Sequence, residues 1–146
     1  MAIEFIPETQ LRNATPPFGM GIIRLTAAAA IVMVSTLPTA NAEQRFPDVL
    51  AAMVRLSGPE RFDFDVTVSS PYDTPQRYAD GFRVTDGAGK VLGERKLWHD
   101  HAGEQPFTRD LHGVSIPRGI RRVRIQARDQ RHGYGGTAIE VELPGR

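Results

Sequence analysis

Apolar and polar residues alternate along most of the chain from residue 49 onward. The clearest run is Arg61 to Ser69. Phe62, Phe64, Val66 and Val68 fall on one face, and Asp63, Asp65, Thr67 and Ser69 on the other. A period of two marks a half-buried strand. The same alternation predicts strands over 78–85, with Phe82 and Val84 inward, over 121–129, with Val123, Ile125 and Ala127 inward, and over 137–143, with Ile139, Val141 and Leu143 inward. Shorter strands are expected at 90–97 and 107–111. Val49 to Leu56 is apolar enough for helix or strand. The Ser57-Gly58-Pro59-Glu60 turn that follows favours a strand entering a hairpin.

Turn signals separate these runs. Asp86-Gly87-Ala88-Gly89 is a hairpin turn, because Asp-Gly tolerates the positive φ that tight turns require. Ile116-Pro117-Arg118-Gly119 is a second. Pro71 to Gln76, Trp98 to Pro106 and Gln130 to Gly136 read as loops. Seven strands in about 100 residues, with a turn roughly every ten, predict an all-β fold. The expected architecture is a seven-stranded antiparallel β-sandwich, immunoglobulin- or fibronectin type III-like, with a small barrel as the alternative. The antibody hallmarks of that fold are missing: there is no cysteine pair and no Tyr at the start of the sixth strand.

The N-terminal region has a different pattern. From Met20, one arginine (Arg24) precedes an apolar stretch from Leu25 to Leu37, then Pro38 and the small-x-small sequence Ala40-Asn41-Ala42. This reads as a secretory signal over 20–42, with cleavage before Glu43. The apolar stretch is short of the ~20 residues a membrane-spanning helix needs. Residues 1–19 carry Glu4 and Glu8 where a signal should be basic, and Pro16-Pro17 besides. They read as a non-native extension ahead of a start at Met20. The expected domain is therefore 43–146, periplasmic or secreted, with no transmembrane span after cleavage.

Composition narrows the function classes. The 146 residues carry 18 Lys+Arg against 17 Asp+Glu, a net charge of +1, which argues against a nucleic-acid binder. Removing Arg12, Arg24, Glu4 and Glu8 leaves the charge of 43–146 unchanged. Cysteine is absent. No disulfide, thiol nucleophile, thiolate-bound metal or lipid-modified cysteine can be built from these residues. No nucleophile elbow, phosphate-binding loop or dinucleotide fingerprint occurs.

Three segments, Tyr78-Ala79-Asp80-Gly81-Phe82, Glu104-Gln105-Pro106-Phe107-Thr108-Arg109 and His132-Gly133-Tyr134-Gly135-Gly136, resemble a group of small exported bacterial proteins of uncharacterised function. The resemblance covers most of 49–143 and implies a strand at 49–56. It implies no mechanism, since no activity is assigned to the group.

The candidate chemistry lies in the loops. If each strand reverses direction, loops 70–77, 98–106 and 130–136 share one end. His99, His101 and His132 then lie together with Asp73, Asp100, Glu104 and Tyr134, and His112 falls toward the opposite end. His99-x-His101 in an extended loop, with His132 from a neighbouring loop, is a nitrogen set suited to Zn²⁺ or Cu²⁺. Asp100 or Glu104 is the expected fourth ligand, or the acceptor that fixes an imidazole tautomer. Surface or structural histidines are the plainer reading. Six arginines from Arg118 to Arg131 form a second feature. Arg122, Arg124 and Arg128 occupy the outward parity of one strand, facing Glu140 and Glu142 on the next, so cross-strand pairing should neutralise part of the stripe. Trp98 is expected to lid the edge of the core. These features predict an exported binding module, taking either a divalent metal or an envelope protein through the arginine face or an edge strand. Catalysis ranks behind both.

Overall fold

The computed structural model describes residues 43–146. The expected extension (1–19) and secretory segment (20–42) lie outside the described residues. Regular structure within 43–146 is entirely strand: β1 (Asp48–Gly58), β2 (Arg61–Ser69), β3 (Ala79–Thr85), β4 (Val91–Lys96), β5 (Phe107–Ser115), β6 (Arg122–Asp129), β7 (Gly133–Tyr134) and β8 (Ile139–Glu142). Every pairing is antiparallel. One sheet has the order β1-β2-β5. The other runs β4-β3-β6, and both β7 and β8 pair with the far edge of β6.

The alternation read from residues 61–69 fixes the core. Phe62, Phe64, Val66 and Val68 of β2 are buried, and they pack with Phe82 and Val84 of β3, Phe107 and Val114 of β5, and Val123, Ile125 and Ala127 of β6. Burying a side chain of this size contributes about 1.5–3 kcal/mol, so this one cluster holds the two sheets together without disulfides. The sheets remain separate ladders, whereas the small-barrel alternative needs a continuous one.

Several boundaries differ from expectation. The ambiguous stretch at 49–56 is a strand, longer than its apolar run. β5 continues to Ser115, past the predicted stop at 111. Its register slips opposite Phe62 and Phe64, so Phe64 pairs Leu111 and Phe62 pairs Val114. Gly113, at φ 64°, absorbs the slip. The loop 130–136 contains the two-residue β7. Trp98 is no lid: it is 79% exposed. β4 ends at Lys96, and the Leu97 N–H donates to the Asp80 carbonyl (2.8 Å), which turns Leu97 into the core and Trp98 out.

Candidate functional site

Loops 70–77, 98–106 and 130–136 do share one end, stitched together by buried aspartates. Asp73 accepts the Ala79 N–H at Oδ1 and the His101 N–H at Oδ2, both at 3.0 Å. Gln105 reinforces the junction. Its Oε1 accepts the Ser70 N–H (2.7 Å), and its Nε2 donates to Ser70 Oγ and to the His101 carbonyl (both 3.1 Å). Asp129 holds the third loop: Oδ1 accepts the N–H groups of Arg131 (2.9 Å) and His132 (2.8 Å), and Oδ2 accepts from Arg77 Nε (3.1 Å). Arg77 also donates to the Arg45 carbonyl (2.8 Å) and pairs with Glu43 (3.0 Å), which fastens residues 43–45 to this end.

Burial by itself would raise the Asp129 pKa. The His132 N–H, the nearby Tyr72 hydroxyl, the Arg131 N–H and the Arg77 charge outweigh it, and the carboxyl is held below the usual range. The Tyr72 hydroxyl is buried without a hydrogen bond of normal geometry. Burial first, and the Asp129 carboxylate second, push its pKa far up. The sequence reading missed Asp129 and Asp80 as anchors. The available signal for Asp129 was an aspartate at a strand end just before a turn, where its side chain can bond the following N–H groups.

The histidines divide. The His101 ring is buried, stacked on Phe107 with centroids 4.0 Å apart, and His99 lies 4.8 Å away, tilted by 37°. Neither ring nitrogen of His101 has a hydrogen-bond partner; Nδ1 stands 4.0 Å from Asp73 Oδ2. Burial, then the charges of Arg109 and His99, push the His101 pKa down. His132 instead packs edge-on against Phe46, with centroids 6.0 Å apart. It lines a cleft of about 400 Å³ with Glu43, Arg45, Arg77 and Arg131. Three guanidinium groups there repel a cation. Glu104 is engaged by Arg109 (2.8 Å), which is what holds its pKa down; Asp100 is half-buried. Among the described residues, no three or more His, Asp or Glu side chains stand together where they could hold a metal ion. His112 lies on β5, between Asp63 (3.2 Å) and Asp110 (2.8 Å).

The arginine stripe is partly neutralised. Arg122 pairs with Glu142 (2.7 Å) and reaches Glu140 (3.9 Å), as the strand parity predicted. Arg128 pairs with buried Asp80, which also takes Lys96 Nζ (2.6 Å). Arg83 donates to Gln126 (3.0 Å) and lies 3.8 Å over the Tyr134 ring. Of Arg122, Arg124 and Arg128, Arg124 makes no ion pair among the described residues.

Strand β1 is one of the sheet edges, paired within its sheet only to β2. It is 11 residues long, the longest strand described. Ala52 and Val54 face the core, while Leu50 and Met53 are 54% and 63% exposed. Its outer edge is joined elsewhere through Val49, whose N–H donates to the Thr137 carbonyl (2.9 Å). Beyond that point, among the described residues, no backbone bond joins the outer edge of β1 to another segment. Natural edge strands are commonly short, or carry proline or outward charge that blocks pairing. β1 has no proline, and Arg55, its one mid-strand charge, is drawn over the sheet onto Asp65. A bulge at Leu50 is its main protection.

The chain is 35% identical over 104 residues to a protein of Halomicrobium mukohataei described as "Putative lipoprotein". The aligned region covers 71% of this chain and 51% of that protein, so the chain spans about half the length of the curated relative it matches. No family model matches the sequence. No solved structure matches it. Among the described residues, no helix is long and apolar enough to cross a membrane.

Proposed function

We propose that this protein is an exported, envelope-associated binding module whose β1 edge takes up an extended segment of a partner protein as an additional strand. The free outer edge of β1, with Leu50 and Met53 exposed along it, is the observation that carries this reading. In strand addition, backbone hydrogen bonds supply affinity and alternate side chains supply specificity. Export is supported by the signal-like segment 20–42 and by the lipoprotein description of the relative. The chain crosses from β1-β2 to β3-β4 in the second sheet, back to β5, and again to β6 and β8. That path supports an immunoglobulin/fibronectin type III-like sandwich. The resemblance to small exported bacterial proteins fits the same reading.

The test is recovery of partners from the cell envelope by the wild-type chain and by a Leu50→Lys/Met53→Lys variant. Partners bound by the wild type and released by the variant, with the variant's melting temperature unchanged, support strand addition. Equal recovery by both contradicts it. Concentration-dependent self-association of the wild type alone would make a second copy of this chain the occupant.

A divalent metal, Zn²⁺ or Cu²⁺, is the second reading. The adjacent His99 and His101 rings and the unpaired nitrogens of His101 favour it. His132, among arginines, is the weakest of the three proposed ligands. Submicromolar binding lost in His99→Ala/His101→Ala would establish this role; binding that is weak and unchanged in the variant would remove it.

A further inference from the structure

The end of the sandwich opposite the histidine loops holds an open cleft of about 580 Å³. Leu56, Pro59, Glu60, Arg118, Arg121 and Arg146 line it. Its lining thus includes three arginines and one acidic residue. That carboxylate is occupied: Glu60 Oε1 accepts the Arg118 N–H (3.1 Å) and lies 3.8 Å from Arg118 Nε. Glu60 sits at φ 58°, in the left-handed region where residues other than glycine are uncommon. Its carbonyl accepts the Ile116 N–H (2.8 Å), so this residue fixes the β1-β2 turn against the 116–121 loop.

Arg146 is held in place. Its Nη2 donates to the Ile116 carbonyl (2.7 Å), and its guanidinium lies 5.1 Å from the Phe62 ring centroid. Its Nη1 is buried without a partner. That nitrogen is closed to solvent, so Arg146 lends the cleft positive charge rather than an open donor; a carboxylate or phosphate oxygen is the acceptor that matches the guanidinium forks of Arg118 and Arg121. Arg121 makes no ion pair among the described residues, although its carbonyl accepts the Leu143 N–H (2.8 Å). Leu56 and Pro59 supply the apolar part of the lining, with Leu56 57% exposed. The volume falls within the ~300–1,000 Å³ usual for small-molecule sites.

We propose that this cleft binds a small anionic ligand, with a carboxylate or phosphate seated between Arg118 and Arg121, beside Arg146, and an apolar body against Leu56 and Pro59. The proposal does not depend on strand addition at β1. Calorimetric titration of the full chain with phenyl phosphate, benzoate and inorganic phosphate tests it. Saturable binding of phenyl phosphate or benzoate, weakened at least tenfold by Arg121→Gln with the melting temperature unchanged, is the expected result. The tighter of the two identifies the anion class, and weaker binding of inorganic phosphate than of phenyl phosphate reports the apolar wall. Arg118→Gln, at a largely exposed side chain, gives the same reading if Arg121→Gln fails to fold. No saturable binding up to millimolar concentration, or binding indifferent to both substitutions, overturns the proposal.

Discussion

Arg77 Nε lies 3.1 Å from Asp129 Oδ2, and the Asp129 side chain is fully buried. This ion pair joins the loop after β2 to the turn after β6, and through Glu43 and the Arg45 carbonyl it fastens the first described residues to the same end. Breaking a buried pair leaves the remaining charge uncompensated, which typically costs about 3–5 kcal/mol. Arg77 keeps its bonds to Glu43 and Arg45, so Asp129→Asn is expected near the lower end, about 3 kcal/mol. Urea unfolding of the two proteins measures it.

The same carboxyl predicts acid sensitivity. Its folded pKa is depressed, so its contribution is fully present above the unfolded value of about 3.9 and is lost as pH falls through the folded pKa. The wild type should lose stability steeply below about pH 4, and Asp129→Asn less steeply. Equal slopes would remove Asp129 from the account of acid unfolding.

His101 acts in a higher window. Its pKa is also depressed, but as a base it must charge to be protonated. Stability is therefore greatest above the unfolded value of about 6.5 and falls as pH drops from there toward the folded pKa. Arg109 and His99 face the ring and oppose protonation, while Glu104 and Asp73 favour it. His101→Phe keeps the backbone N–H bond to Asp73 and the stack on Phe107. Thermal melts at pH 5 and pH 8 should converge in His101→Phe and differ in the wild type.

Gly136 adopts φ 71°, and a Cβ there would run into the Pro47 carbonyl. Gly136→Ala should cost about 1–3 kcal/mol from strained backbone, and more from the clash. Because Gly136 seats the last loop against residues 46–48, the loss should appear together with faster proteolysis near residue 46. Wild-type resistance at that position would contradict this role.

How much was legible in the sequence depended on the range of the forces. Period-two alternation placed Phe62, Phe64, Val66 and Val68 in the core, because side-chain direction along a strand is a local property. Grouping the three loops at one end followed from strand reversal alone, and the bonds from Asp73 and Asp129 bear it out. Pairing of Arg122 with Glu142 followed from parity once two strands were known to be adjacent. The slip at Gly113, the turning out of Trp98 and the burial of Asp80 against Arg128 depend on register between strands distant in sequence. The free edge of β1 was invisible for the same reason: which strand lies outermost is set by sheet order, which the alternation of a single strand does not encode.

Amide hydrogen exchange tests strand addition most directly. In the isolated chain, residues 50–57 should exchange faster than β2, which is paired on both sides. When the partner recovered by the wild type is added, protection should rise along 50–57 and nowhere comparably. Protection appearing instead in the loops 98–106 and 130–136, or along β6 and β8, would contradict the β1 edge as the binding surface.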